Sequence, residues 1–287
     1  MDIYHGLSNE LPLALHQSAI KSVVTIHDLI FMRYPRWYKP IDRVIYKNKF
    51  GYSSRIADRI IAISKQTKSD LVNYLNIDEK KIEVIYQGCN ESFRQVLSEN
   101  DKLKVKEKWQ LPEEYILYVG TIEERKNLLS VIKSLHLGKI SVPLIVVGRQ
   151  TGYYGKIRKY IDQHSLKQIH FLKEVPVTDL PGIYQMASLF IYPSVFEGFG
   201  IPVLEALYSR IPVITSKGGC FCEVGGELSV YVDPGDIDEI IDAIVRILTN
   251  KQLRDEMKDT GYTHAQQFSN ERIAGQIMAL YKRLLNE

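Results

Sequence analysis

The chain has 287 residues, 45% of them hydrophobic and 25% charged, with a net charge of +3. That length and balance give room for two ordinary domains and exclude a disordered, collagen-like or low-complexity chain. No apolar run approaches the roughly 18–20 residues of a membrane-spanning helix, and Cys89, Cys220 and Cys222 make no disulfide framework.

The opening, Met-Asp-Ile-Tyr-His-Gly, lacks the basic and apolar regions of a signal peptide, so cytoplasm is the expected compartment. Strands are expected at 2–4, 22–26, 59–63 and 82–85, with helices near 41–56 and 65–75. The first strand starts almost at Met1, so this α/β domain is expected to lack its opening portion. Between Arg33 and Arg59 lie eight Lys or Arg against Asp42 and Asp58, with Tyr34, Trp37, Tyr38, Tyr46, Phe50 and Tyr52 interleaved. An amphipathic helix with a solvated basic face and aromatics in the core is the favoured account. Contact with an anionic membrane surface through 33–59 is the competitor. The polar stretch 90–104 reads as a connection between domains.

Beyond it the alternation is regular. Short, apolar, β-branched runs at 115–119, 143–147, 169–172, 187–192, 212–215 and 229–232 predict strands buried on both faces of a parallel sheet. Helices are expected near 127–137, 154–163, 176–186 and 202–208, and three more, at 236–248, 251–267 and 270–285, close the chain. Together they predict a doubly wound domain, with ligands outside the carboxyl ends of its strands.

Glu197-Gly-Phe-Gly-Ile-Pro-Val-Leu-Glu205 carries the densest chemistry. Two carboxylates bracket a Gly-Phe-Gly turn between strand and helix, with Pro202 suited to a first helical position. Gly198 and Gly200 permit a sharp turn and close approach to a ligand. The helix start favours a phosphate through its unpaired N–H groups and dipole. Glu205, expected in the first turn, can accept from ribose hydroxyls, while Glu197 can face the group beyond the phosphates. The stretch reads as a nucleotide-sugar site, the structural alternative being an ordinary strand–helix junction.

Other strand ends carry related chemistry. Gly120-Thr121 can offer backbone N–H groups to a phosphate, and Arg125 and Lys126 add two cations that can stabilise a leaving diphosphate. His27 ends the strand at 22–26; Asp28 can hold its tautomer or cap the next turn. Ser64 is favoured as an N-cap. Asp236-Ile-Asp238 has the form of a metal motif but follows Pro234-Gly235 at a helix start, so Asp236 is expected as an N-cap. Cys220-x-Cys222 lacks a second pair at zinc spacing. No metal and no cofactor are expected.

With these landmarks in order, the chain resembles the retaining glycosyltransferases of family 4, the group 1 glycosyltransferases. It looks most like bacterial mannosyltransferase-like enzymes of polysaccharide assembly. The resemblance rests on Thr25-Ile-His27-Asp28-Leu, Asp58-Arg-Ile-Ile-Ala-Ile-Ser64, Tyr118-Val-Gly120-Thr-Ile-Glu-Glu-Arg125-Lys126-Asn127, the 197–205 stretch and Val232-Asp-Pro-Gly-Asp236. It implies an α/β fold of GT-B type, two facing Rossmann-like doubly wound domains, the first incomplete. The expected division is 1–100 (acceptor side), 101–268 (nucleotide-sugar side) and a helix at 269–287 packing back on the first domain.

The implied reaction moves a hexose, mannose or glucose, from a nucleoside diphosphate sugar to a glycan or lipid-linked acceptor with retention. The resemblance assigns catalysis to His27, Glu197, Lys126 and Arg125. It assigns donor binding to Gly120, Thr121, Arg125, Lys126, Gly198, Phe199, Gly200, Ile201 and Glu205. The expected setting is cytoplasmic, peripheral at the inner membrane surface, with no nucleic-acid partner. Two departures stand out: no glycine-rich loop opens the first domain, and Gly218-Gly-Cys-Phe-Cys222-Glu223 lacks the proline that relatives usually place before the glutamate. A truncated, non-catalytic nucleotide-sugar-binding or scaffold protein is the alternative; an epimerase or phosphorylase is the remaining rival.

Overall fold

The computed structural model describes residues 2–286, in two units. Unit 1 comprises the chain up to Gly88, Glu197–Phe199, and the chain from Gln267 on; unit 2 comprises Cys89–Phe196 and Gly200–Gln266.

Unit 1 opens with β1 (Ile3–Gly6), β2 (Lys21–Ile26), α1 (Ile30–Arg33), α2 (Pro40–Ile56), β3 (Arg59–Ala62), α3 (Lys65–Leu75) and β4 (Ile82–Val84). The four strands form a parallel sheet in the order β1-β2-β3-β4. Because successive side chains point to opposite faces, Val24, Ile26, Ile60 and Ala62 pack with Phe31 and Leu71 on one side, while Val23 and Ile61 pack on the other. Ser64 caps α3, its Oγ accepting from Thr67 N at 3.0 Å.

Unit 2 runs α4 (Glu99–Trp109), β5 (Ile116–Val119), α5 (Leu128–Leu137), β6 (Leu144–Val147), α6 (Tyr154–Gln163), β7 (Ile169–Leu172), α7 (Leu180–Gln185), β8 (Leu189–Tyr192), α8 (Ile201–Tyr208), β9 (Val213–Ser216), α9 (Phe221–Gly225), β10 (Val230–Val232), α10 (Ile237–Thr249) and α11 (Lys251–Ala265). Its six parallel strands stand in the order β10-β9-β8-β5-β6-β7. Every residue of β6, β8 and β9 is buried, as strands covered on both faces must be. The last helix, α12 (Asn270–Asn286), lies in unit 1, where Leu280 and Leu284 join Val23, Ile61 and Ile85.

The stretch 90–104 is not a plain connection: α4 starts at Glu99. Ser98 Oγ caps it by accepting from Asp101 N at 3.2 Å, and Lys102–Glu99 (2.8 Å) and Lys104–Asp101 (2.9 Å) pair one turn apart. Capping and local ion pairs support this helix; it fully buries no residue, so no apolar stripe announces it. The helix expected over 176–186 is shorter, Leu180–Gln185.

Candidate active site

In unit 2 the chain goes from β5 outward to β6 and β7, then returns to β8 on the opposite side of β5. Strand order reverses between β5 and β8, and an open parallel sheet binds ligands at the carboxyl ends beside such a reversal. The loops leaving those two strands carry most of the predicted donor residues. They are tied together, Val195 N donating to the Arg125 carbonyl at 2.8 Å.

The loop after β5 forms a 3-10 turn over Glu124–Lys126 and leaves it at Asn127 in the left-handed region, φ 59°. Asn127 is anchored by donating from Nδ2 to the Pro234 carbonyl at 2.7 Å. Arg125 donates to Glu123 Oε1 at 2.7 Å and to the Phe196 carbonyl. Its guanidinium therefore shapes both loops as well as supplying charge. Lys126 is half-buried, its ammonium 5.6 Å from the Tyr192 ring centroid, a cation–π distance.

Gly120 has a role other than the expected phosphate donor. Its N–H donates to the Val147 carbonyl at 2.9 Å, continuing the ladder. What matters is the missing side chain: a Cβ there would meet Lys126 Cδ at 3.3 Å and Nζ at 3.6 Å. Gly148 serves the same place, since its Cβ would lie 1.9 Å from the Gly120 carbonyl oxygen. Thr121 is half-buried, and its carbonyl accepts from Glu123 N at 3.0 Å.

The loop after β8 passes through Glu197–Phe199, which belong to unit 1, and re-enters unit 2 at Gly200. Gly200 caps α8 at φ 110°, a conformation that favours glycine. Ile201 is the first helical residue, so Pro202 is the second. Glu205 consequently lies in the second turn of α8 rather than the first. Tyr184 Oη donates to Glu205 Oε2 at 2.9 Å, and burial pushes the Glu205 carboxyl up to about 7.

Within unit 1, a Cβ on Gly198 would stand 2.2 Å from the His27 carbonyl oxygen, so this glycine admits backbone rather than a ligand. The Phe199 ring is buried against Tyr86 (5.8 Å) and Phe268 (5.5 Å), leaving only its backbone for a donor role. Glu197 is half-buried. His27 Nε2 donates to the Leu7 carbonyl at 2.9 Å and Gln87 Nε2 donates to His27 Nδ1 at 3.1 Å, an arrangement that fits the Nε2–H tautomer. Asn9 Oδ1 accepts from His27 N at 2.8 Å. Asp28 caps the following turn, its Oδ1 accepting from Ile30 N at 3.0 Å. Asp236 is the N-cap of α10, accepting from Glu239 N at 3.0 Å.

Sequence reasoning missed Gln87, Asn9, Glu123, Tyr184 and Gly148, the residues that hold the predicted ones. Tyr184 is separated from Glu205 by 21 positions and Gln87 from His27 by 60, so no local spacing links them. Gly148, at the end of a fully apolar strand, carried the one readable signal.

Residues 99–264 match the family described as glycosyl transferases group 1, and residues 2–93 match glycosyltransferase family 4. The chain is 32% identical to O-antigen chain mannosyltransferase B of Escherichia coli over 98% of its own length and 74% of the relative's. It is also 32% identical to O-antigen chain mannosyltransferase RfbU of Salmonella typhimurium, over 82% of this chain and 65% of that one. Sucrose-phosphate synthase of Thermosynechococcus elongatus superposes with a TM-score of 0.82 at 22% identity, covering 99% of this chain and 74% of that one. Anabaena HepE, solved with UDP and glucose, gives 0.79 at 20% identity over 92% and 72%. These two likenesses speak for the fold, which is of GT-B type.

Proposed function

We infer the activity from the chain's membership: it belongs to the group 1 glycosyltransferases. It transfers a hexose with retention from a nucleoside diphosphate sugar to a glycan or lipid-linked acceptor, in polysaccharide or cell-envelope glycan synthesis. Mannose is the sugar favoured by relatives named as O-antigen mannosyltransferases. The observation that carries this reading is the Lys126 ammonium beside Gly120, at the strand-order reversal where a parallel sheet binds its ligand.

As the bond from the anomeric carbon to the diphosphate breaks, negative charge grows on the leaving oxygen. Lys126 stabilises that charge, and Arg125 adds to the field while holding Glu123 and the Phe196 carbonyl. Glu205 accepts from the ribose hydroxyls. The backbone of Thr121, Gly200 and Ile201 lines the diphosphate, with Gly120 making room for Lys126. Within unit 1, Glu197 is the carboxylate suited to favour positive charge at a sugar ring, and the His27 carbonyl lies against the neighbouring Gly198. These groups need no metal or cofactor to bind and orient the donor.

The test is transfer of labelled sugar from GDP-mannose, with UDP-glucose as comparison, to a bacterial envelope-lipid extract. Lys126→Ala is expected to lower turnover by about 10²-fold with a much smaller loss of donor affinity, because the charge it meets develops in the transition state. Unchanged turnover removes that role. Donor-induced thermal stabilisation with no transfer favours a non-catalytic binding protein instead. Retention is read from the anomeric configuration of the product by NMR.

A further inference from the structure

Glu205 is gripped by a second side chain of unit 2. Tyr184, on α7, is fully buried and donates from Oη to Glu205 Oε2 at 2.9 Å. Its ring has no room to swing: Phe93 meets it edge-on with centroids 5.3 Å apart, and Phe190 of β8 lies 5.4 Å away. Helix α7 is itself fixed. Gln185 Nε2 donates to the Gln95 carbonyl at 2.7 Å, and Leu97 N donates to Gln185 Oε1 at 3.1 Å. A Cβ on Gly182 would meet Val105 Cγ2 of α4 at 3.1 Å, so that face is closely packed as well.

A phenol buried this completely needs an acceptor, and Glu205 Oε2 is the one the structure supplies. Burial and the adjacent carboxylate push the Tyr184 hydroxyl well above its ordinary range, which keeps it a donor. The other oxygen, Glu205 Oε1, has no hydrogen bond among the described residues and is not buried. One end of the carboxylate is anchored and the other is open. A free glutamate must surrender rotamer freedom when it binds a ligand; one pinned through a single oxygen has surrendered it already.

Given the ribose role proposed for Glu205, we propose that Tyr184 is the positioning residue for ribose: it clamps Oε2 so that Oε1 is held ready to accept from the nucleotide's hydroxyls. Tyr184 touches no ligand, and its effect reaches the nucleotide only through Glu205.

The experiment is calorimetric titration of the full chain with GDP and with 2′,3′-dideoxy-GDP, the corresponding UDP pair alongside. The parent is expected to bind the ribose form about tenfold tighter or more. Tyr184→Phe removes one hydroxyl and keeps the ring. It should weaken the ribose form by about tenfold and change the dideoxy form by less than about twofold, so that discrimination collapses. Equal weakening of both forms means a merely structural role and overturns the proposal; so does a variant that discriminates as well as the parent. In a Glu205→Ala background Tyr184→Phe should cost no further affinity, and an undiminished loss there also overturns it. A parent that binds neither diphosphate, or binds both forms equally, removes the ribose reading of Glu205 itself and this proposal with it. If Tyr184→Phe fails to fold by circular dichroism, a crystal structure of the parent with the nucleotide decides. Ribose on Oε1 with Tyr184 still on Oε2 supports the proposal, and a Glu205 turned away from Tyr184 overturns it.

Discussion

At Glu205 the demands of folding and of the proposed ribose role pull in opposite directions. Burial raises its carboxyl from an ordinary 4.5 to about 7, while Tyr184 supplies one hydrogen bond that favours the charged form. The sign follows from proton linkage. Between about 4.5 and about 7 the native state keeps a proton that the unfolded chain has lost, so this group's contribution to stability declines as pH rises. Glu205→Gln should therefore be more stable than the parent near pH 8, by about 1–3 kcal/mol, with no such gain near pH 4. In the proposed ribose role the carboxylate is the acceptor, so the parent's affinity for GDP should fall as pH is lowered through about 7. The variant should bind more weakly with a flatter profile. Calorimetric titration across pH checks both, and parent affinity that rises on acidification removes the ribose role. The two carboxylates and the glycines between them were legible from residue type and spacing. Their surroundings were not: Gly198 is needed for the His27 carbonyl and Gly200 for its positive φ, which the sequence renders as the same letter.

At the scale of elements, local chemistry was the reliable guide wherever it was self-contained. Asp236 follows Pro-Gly and precedes an amphipathic run, and it caps α10 as that pattern predicts. The cap is reinforced by Glu239, which accepts from Asp233 N at 2.8 Å and pairs with Lys217. Asp236→Ala should lower stability by about 1 kcal/mol, read as a shift in urea midpoint without a change in slope. A midpoint that stays put removes the capping account. Helix α4 escaped notice for the converse reason: its stabilising pairs are charged, and charge in a polar stretch resembles a connection. Helix α2 was legible as a helix, but not the way it faces. Its aliphatic and aromatic residues are both apolar, and periodicity alone does not tell which stripe meets the core.

At the scale of the whole molecule, the last helix shows how stability is drawn from distant chain segments. Leu280 and Leu284, one turn apart on α12, are each 1% exposed and pack with Val23, Ile61 and Ile85. His5 and Tyr281 meet on the same side, Nδ1 to Oη 2.5 Å, across 276 positions. Leu284→Ala should cost about 3 kcal/mol through lost burial and a residual cavity, measurable by urea denaturation. A loss below about 1 kcal/mol would mean that the site collapses around the smaller side chain. The amino-acid sequence by itself determined the parallel α/β class, because strands covered on both faces must be apolar throughout while the helices between them need one apolar stripe. It also determined which residue types end the strands. Only the tertiary structure decided the reversal of strand order between β5 and β8, the membership of Glu197–Phe199 in unit 1, and the outward turn of Ile41, Val44 and Ile45. Those features arise from contacts between residues far apart in the chain, and such pairings leave no period or spacing in the local sequence.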